Sequence, residues 1–283
     1  MSDDFAVLLG LRPSTMGPER EVHDEAVRLR RLRTYLARNR LEPEEQREII
    51  WSRFCALYLP ATVDRFIDPP TVASDDPEQI ADYNLHNAYS EMLVQVQHSP
   101  YFAKYMRTKS SNGKKLSRAL AQRLAQRAAT WDHRMAHPPP NLPENYHVSM
   151  ATNACQLLST LCTLFVKQLN HDVVPHEARE ALMPYLITWA RQHPDDIFGT
   201  ICLRTWRLIL AVGGSSTLSD FDMLRKDYKN WEVCGLPFCD SKTDLKVCAR
   251  CQTVRYCSQE HQVRHWKWDL GAQHRQLCFT TQY

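Results

Sequence analysis

Ten cysteines occur in the chain, and six of them crowd into its last fifty or so positions: Cys234, Cys239, Cys248, Cys251, Cys257 and Cys278, interleaved with His261, His265 and His274. The preceding residues carry only Cys55, Cys155, Cys162 and Cys202. Thiols and imidazoles at this density serve either cross-linking or metal binding. The chain opens Met1-Ser2-Asp3-Asp4 with neither a basic start nor a following apolar run, so the expectation is no secretory leader and a reducing, intracellular setting, cytoplasmic or nuclear. There, a pair such as Cys248-Ala-Arg-Cys251 with histidines at ligand spacing reads as zinc binding. Size points the same way, because so short a segment buries too little apolar surface to fold without a metal or a cross-link.

The order is Cys234-x4-Cys239-x8-Cys248-x2-Cys251-x5-Cys257-x3-His261-x12-His274-x3-Cys278, four pairs in all. Eight donors make two closed tetrahedra with no open position, which is structural rather than catalytic zinc. Cys257 and His261 share a helix face at i, i+4, with Ser258 as N-cap and Glu260 in the first turn. His265, one turn further, is a rival ligand at this stage.

The run Tyr256-Cys-Ser-Gln-Glu-His-Gln-Val-Arg-His-Trp266, closed by His274-Arg-Gln-Leu-Cys278, resembles the MYND zinc finger, whose motif reads Tyr-Cys-Ser-x-x-Cys-Gln-x-x-His-Trp and ends His-x3-Cys. The resemblance covers about residues 231–280. It implies two cross-braced zinc ions per chain, one held by Cys234, Cys239, Cys257 and His261, the other by Cys248, Cys251, His274 and Cys278, with His265 as a packing residue. It also implies that Gln262 and Trp266 contact proline-containing peptides of partner proteins. Three features depart from the family pattern. The first pair is four apart rather than two, the sixth ligand is His rather than Cys, and Lys267 to Gln273 lengthen the last gap around Gly271. Each three-thiolate, one-imidazole site carries one net negative charge, so loading both lowers the formal +3 of the apo chain by two.

The elements that carry this module read as helices. Residues 1–19, with Pro13, Gly17 and Pro18, suggest a loosely ordered leader, residues 20–230 a helical scaffold, and residues 231–283 the finger. Val22, Ala26, Leu29, Leu32 and Leu36 alternate with six arginines between Arg28 and Arg40, an amphipathic basic helix whose charged face is read as solvated. A helix starting at Pro43-Glu44 buries Ile49, Ile50, Phe54, Leu57 and Tyr58 and is expected to stop at Pro60. Further helices are expected from Asp76-Pro77 toward His98, over 115–134 with Leu116, Leu120, Leu124, Ala128 and Trp131 inward, over 146–169, over 175–192, after an Asp195 cap, and over 218–230. Residues 137–143, Pro-rich, are read as a spacer. Strand signal is confined to 245–248 and 253–256. The class is therefore mainly α, a multi-helical scaffold resembling an armadillo- or HEAT-like stack, with no segment expected to cross a membrane.

The functional expectation is a non-enzymatic adaptor that binds proteins through proline-containing peptides. The layout is similar to fungal MYND proteins with an armadillo-like front end, which implies transcriptional or ubiquitin-related regulation. Two other classes are weaker. MYND fingers also occur in SET-type lysine methyltransferases, but only Asn170-His171 echoes a SET motif, Asp172-Val173 follow where its cysteine belongs, and no P-loop, dinucleotide fingerprint or nucleophile elbow is present. A zinc-dependent nucleic-acid binder is disfavoured because Arg250, Arg255, Arg264, Lys267 and Arg275 are offset by acids and the ligand order is not that of base-reading fingers.

Overall fold

The computed structural model describes residues 1–13, 24–72, 74–165, 173–212 and 233–283. The expected helix over 218–230 and the Asn170-His171 pair lie outside these residues. Helix dominates: α1 (Ser2–Leu8), α2 (Glu25–Asn39), α3 (Glu44–Ile67), α4 (Pro77–Leu85), α5 (Ala88–Val96), α6 (Pro100–Thr108), α7 (Ser110–Ala136), α8 (Tyr146–Phe165), α9 (His176–Gln192), α10 (Ile197–Val212), α11 (Gln259–Trp266) and α12 (His274–Leu277). The strands among the described residues are β1 (Lys246–Val247) and β2 (Arg255–Tyr256), an antiparallel pair. The packing divides into two compact units, one of residues 1–62, 95–109 and 225–283, the other of 63–94 and 110–224.

In the first unit, α1 occupies part of the stretch expected to be a loose leader. Its Phe5, Ala6 and Leu8 are buried, and Phe5 meets the rings of Tyr35 and Trp51. Ser2 Oγ donates to Ile50 O, and Tyr58 donates to Asp3 at 2.8 Å. These long-range partners, invisible locally, hold the segment. Asp24 caps α2 through the N–H of Val27, and Leu32 and Leu36 are buried while Ala26 is exposed. Along α3, Ile50 and Phe54 are buried, but Leu57 is half exposed.

Pro60 does not end α3, which continues to Ile67. A proline inside a helix removes one hydrogen bond and crowds the preceding turn. Here the loss is offset by burial of Leu59, Val63 and Phe66, and by a cap, since the Arg123 guanidinium donates to Phe66 O at 2.6 Å, Ile67 O at 2.8 Å and Asn84 O at 2.9 Å.

The helix expected from Asp76 toward His98 is two helices. Asp76 caps α4 through Glu78 N–H, but Asn87 then accepts from Tyr89 and Ser90 N–H while Ser90 Oγ accepts from Asn87 N–H, a reciprocal cap that starts α5. Ser99 caps α6 before Pro100, a further helix beyond those expected.

The second unit is built on α7, α8, α9 and α10. The α7 stripe Leu116, Leu120, Leu124, Ala128 and Trp131 is wholly buried, as are Ala151, Cys155, Leu158, Leu161, Cys162 and Phe165 on α8. Contrary to the expectation that nothing is long and apolar enough to cross a membrane, α8 meets that test of length and composition; 72% of the tested window is buried inside the protein, as in a core helix. Asp82 on α4 accepts from Arg127 at 2.7 Å, Trp131 at 3.1 Å and Arg134 at 3.2 Å. The cap of α10 is Asp196, whose carboxylate accepts from Gly199 N–H, one residue beyond the expected Asp195.

Candidate metal centre

Short-range backbone geometry places the donors. The first pair sits in a loop tied by Cys234 N–H to Ser241 O at 2.8 Å, Gly235 N–H to Arg255 O at 2.7 Å and Cys239 N–H to Leu236 O at 3.1 Å. The second pair sits on the tip of the β1–β2 hairpin, where Cys248 N–H reaches Val254 O, Gln252 N–H turns back to Cys248 O, and Gln252 adopts a φ of 56°. Ser258 caps α11 through His261 N–H, so Cys257 and His261 fall on one helical face.

Two tetrads result: Cys234, Cys239, Cys257 and His261 in one, and Cys248, Cys251, His274 and Cys278 in the other, with all donor atoms of each within 4.8 Å of one another. Zinc bound at about 2.3 Å to sulfur and about 2.0–2.1 Å to nitrogen gives tetrahedral edges of about 3.8 Å between sulfurs and about 3.6 Å between sulfur and nitrogen. Cys239 and Cys257 sulfurs stand 3.9 Å apart and Cys248 and Cys278 sulfurs 3.8 Å. His261 presents Nδ1 at 3.5 Å from Cys234 and 3.2 Å from Cys257, and His274 presents Nε2 at 3.7 Å from Cys251. The chemistry of the donors and their spacing fit two zinc ions, cross-braced between alternate pairs.

Electrostatics agree. Burial alone would raise the Cys234 thiol, but the N–H groups of Cys257 and Leu236 and the His261 ring outweigh it and bring it down to about 7. Burial also acts against ionisation of Cys251, but the Thr253 hydroxyl, 3.1 Å from its sulfur, together with the N–H groups of Thr253 and Val254, outweighs burial and lowers the thiol. Cys278 moves the other way, first through burial and then through its Cys251 and Cys248 neighbours. Crowded sulfurs of this kind ionise together only beside a cation.

The two sites differ in setting. All four donors of the second are buried, whereas only Cys234 of the first is. The second site also abuts α6: Tyr101 Oη donates to Leu277 O at 2.6 Å and accepts from Phe279 N–H at 2.6 Å, on either side of Cys278, and Lys104 Nζ donates to Cys251 O at 3.3 Å. Sequence reasoning missed Tyr101 and Lys104, since each contacts residues 147 or more positions away and no local pattern marks them.

His265 joins neither tetrad. It is buried, its Nδ1 lies 2.9 Å from Tyr256 Oη, and its ring stacks on His274 at 5.5 Å. Gln262 and Trp266 are half-buried on α11, and the Trp266 indole stands edge-on to His274 at 5.8 Å. The lengthened gap is taken up by a turn in which Trp268 is buried, with Phe238 at 6.3 Å and the Arg264 guanidinium at 6.0 Å from its ring. Phe238 belongs to the widened first pair, so the two insertions meet each other and leave His274 in place.

Residues 232–278 match a family model described as zf-MYND, the MYND finger. Compared with curated proteins and with solved structures, the chain matches none. A MYND finger is a zinc-binding protein-interaction module and not a catalytic one. The tetrads, the capped α11 and this match together make residues 232–278 a MYND finger, carried by a mainly helical chain.

Proposed function

We propose that the chain is a non-enzymatic adaptor whose finger holds proline-containing segments of partner proteins across Gln262 and Trp266. The observation that carries this reading is the pairing of these two side chains on α11. They stand at i, i+4 on one face, neither fully buried. The Gln262 amide makes no side-chain hydrogen bond among the described residues, so its donor and acceptor are available to an extended peptide backbone, while the Trp266 indole, backed by His274, offers a fixed apolar face to a proline ring. The eight Cys and His donors are consumed in closed tetrads, which supports a structural rather than catalytic use of the metal. The pathway within this reading is transcriptional or ubiquitin-related regulation in the cytoplasm or nucleus.

The test is titration of a proline-rich peptide library by fluorescence anisotropy, with zinc content followed by native mass spectrometry. Gln262→Ala and Trp266→Ala should each abolish or sharply weaken peptide capture with two zinc ions retained. Undiminished binding in both variants would remove the proposed groove.

A further inference from the structure

The two tetrads are chemically alike but electrostatically unequal. Zinc in a site of three thiolates and one imidazole leaves one net negative charge. At the first site, three of four donors are partly open to water, which screens that charge. At the second, all four are buried, and an uncompensated buried charge is strongly unfavourable.

Among the described residues, a cation from the helical part of the same unit reaches the second site. Lys104 on α6 points its ammonium at Cys251 O, 3.3 Å away, donates also to Thr281 Oγ1, and lies over the Tyr283 ring at 5.2 Å. One turn before it, Tyr101 grips the backbone on both sides of Cys278 through Leu277 O and Phe279 N–H. The segment leaving the site is pinned further, with Tyr283 packed edge-on to Tyr105 at 5.0 Å and its hydroxyl donating to Cys55 O at 3.1 Å on α3. Two of the four ligands of this site, Cys251 and Cys278, are thus held by side chains of α6.

We propose that Lys104 and Tyr101 are the outer shell of the second zinc site, Lys104 balancing its net negative charge and Tyr101 fixing the Cys278 backbone, so that retention of this zinc is set by the helical scaffold while retention of the first is not. Groups that orient and neutralise a metal's ligands typically change its affinity by about 10–100-fold. Lys104 and Tyr101 are positioning residues in this scheme, since neither touches the metal.

The experiment follows zinc leaving the full-length, zinc-loaded chain into a chromogenic chelator by stopped flow. Cys239→Ser, which breaks the first tetrad only, identifies which phase belongs to which site. The wild type should release zinc in two phases, with the second site the slower. Lys104→Met, which keeps the aliphatic stem, should accelerate the slow phase by about 10–100-fold and leave the fast phase unchanged; Lys104→Arg should restore it. Tyr101→Phe, which removes only the hydroxyl, should accelerate the same phase. A single common phase in the wild type, an unchanged slow phase in Lys104→Met and Tyr101→Phe, or equal acceleration of both phases would each overturn the proposal.

Discussion

At the level of single residues, the close Cys and Cys/His pairs that the structure gathers into two tetrads stand out in the sequence because each turn that brings two donors together is short, whereas the choice among the three histidines comes from the resemblance to the MYND finger. The steric conditions that let the turns form could not be read so easily. Gly235 is an example: a Cβ there would fall 2.1 Å from Val254 Cγ1 and 3.3 Å from Arg255 O, in a loop already tied to Arg255 by hydrogen bond. Gly235→Ala should therefore destabilise the finger by about 1–3 kcal/mol as overpacking, seen as earlier zinc release in a thermal melt. Adding Val254→Ala should recover part of the loss, because the clash is with that side chain, and a double-mutant cycle measures the coupling. His265 teaches the complementary lesson. Its position one turn past His261 allowed it to be a ligand, and only the Tyr256 hydroxyl and the stacking on His274 show how its ring is used.

At the level of elements, periodicity was a good guide where apolar stripes were long and uninterrupted, as on α7 and α8, and a poor one where caps or distant partners decided. The break between α4 and α5 rests on Asn87 and Ser90 bonding each other's backbone N–H groups, a signal of four residues inside an otherwise helical run. Asn87→Ala should cost about 1 kcal/mol in denaturant unfolding and fray the start of α5 in hydrogen exchange. The persistence of α3 through Pro60 depends in part on Arg123, 56 to 57 positions from the Ile67 and Phe66 carbonyls it caps, and could not be inferred from residues near the proline. Asp82 is the more consequential junction. Its carboxylate gathers Arg127, buried at 6% side-chain exposure, with Trp131 and Arg134. Asp82→Ala leaves a buried guanidinium without its partner and should cost about 3–5 kcal/mol, read as a lower denaturant midpoint.

At the level of the whole molecule, the finger packs with helices of the same unit. Residues 233–283 are grouped in one unit with α1, α2 and α6, and the contacts of Tyr101, Lys104, Tyr105 and Cys55 join them. Removing zinc from the intact chain should therefore raise amide exchange in α6 as well as in the finger, while α8 and α10 of the other unit keep their protection; hydrogen exchange with and without chelator measures this. Exchange confined to residues 233–283 would show that α6 is indifferent to the metal.

The first unit is made of three stretches of chain, 1–62, 95–109 and 225–283, with most of the second unit lying between them. During synthesis, α1, α2 and α6 emerge long before the segment that covers Tyr101 and Lys104, and the second unit has all its helices before that segment is made. Until then, Tyr101 and Tyr105 of α6 lack their final partners, Leu277, Phe279 and Tyr283. Long-range closures of this kind come late and slowly, after local helical contacts. The arrival of zinc is thus tied to a late step in assembling the first unit, and a nascent chain starved of the metal would present those tyrosine rings to chaperones or to aggregation.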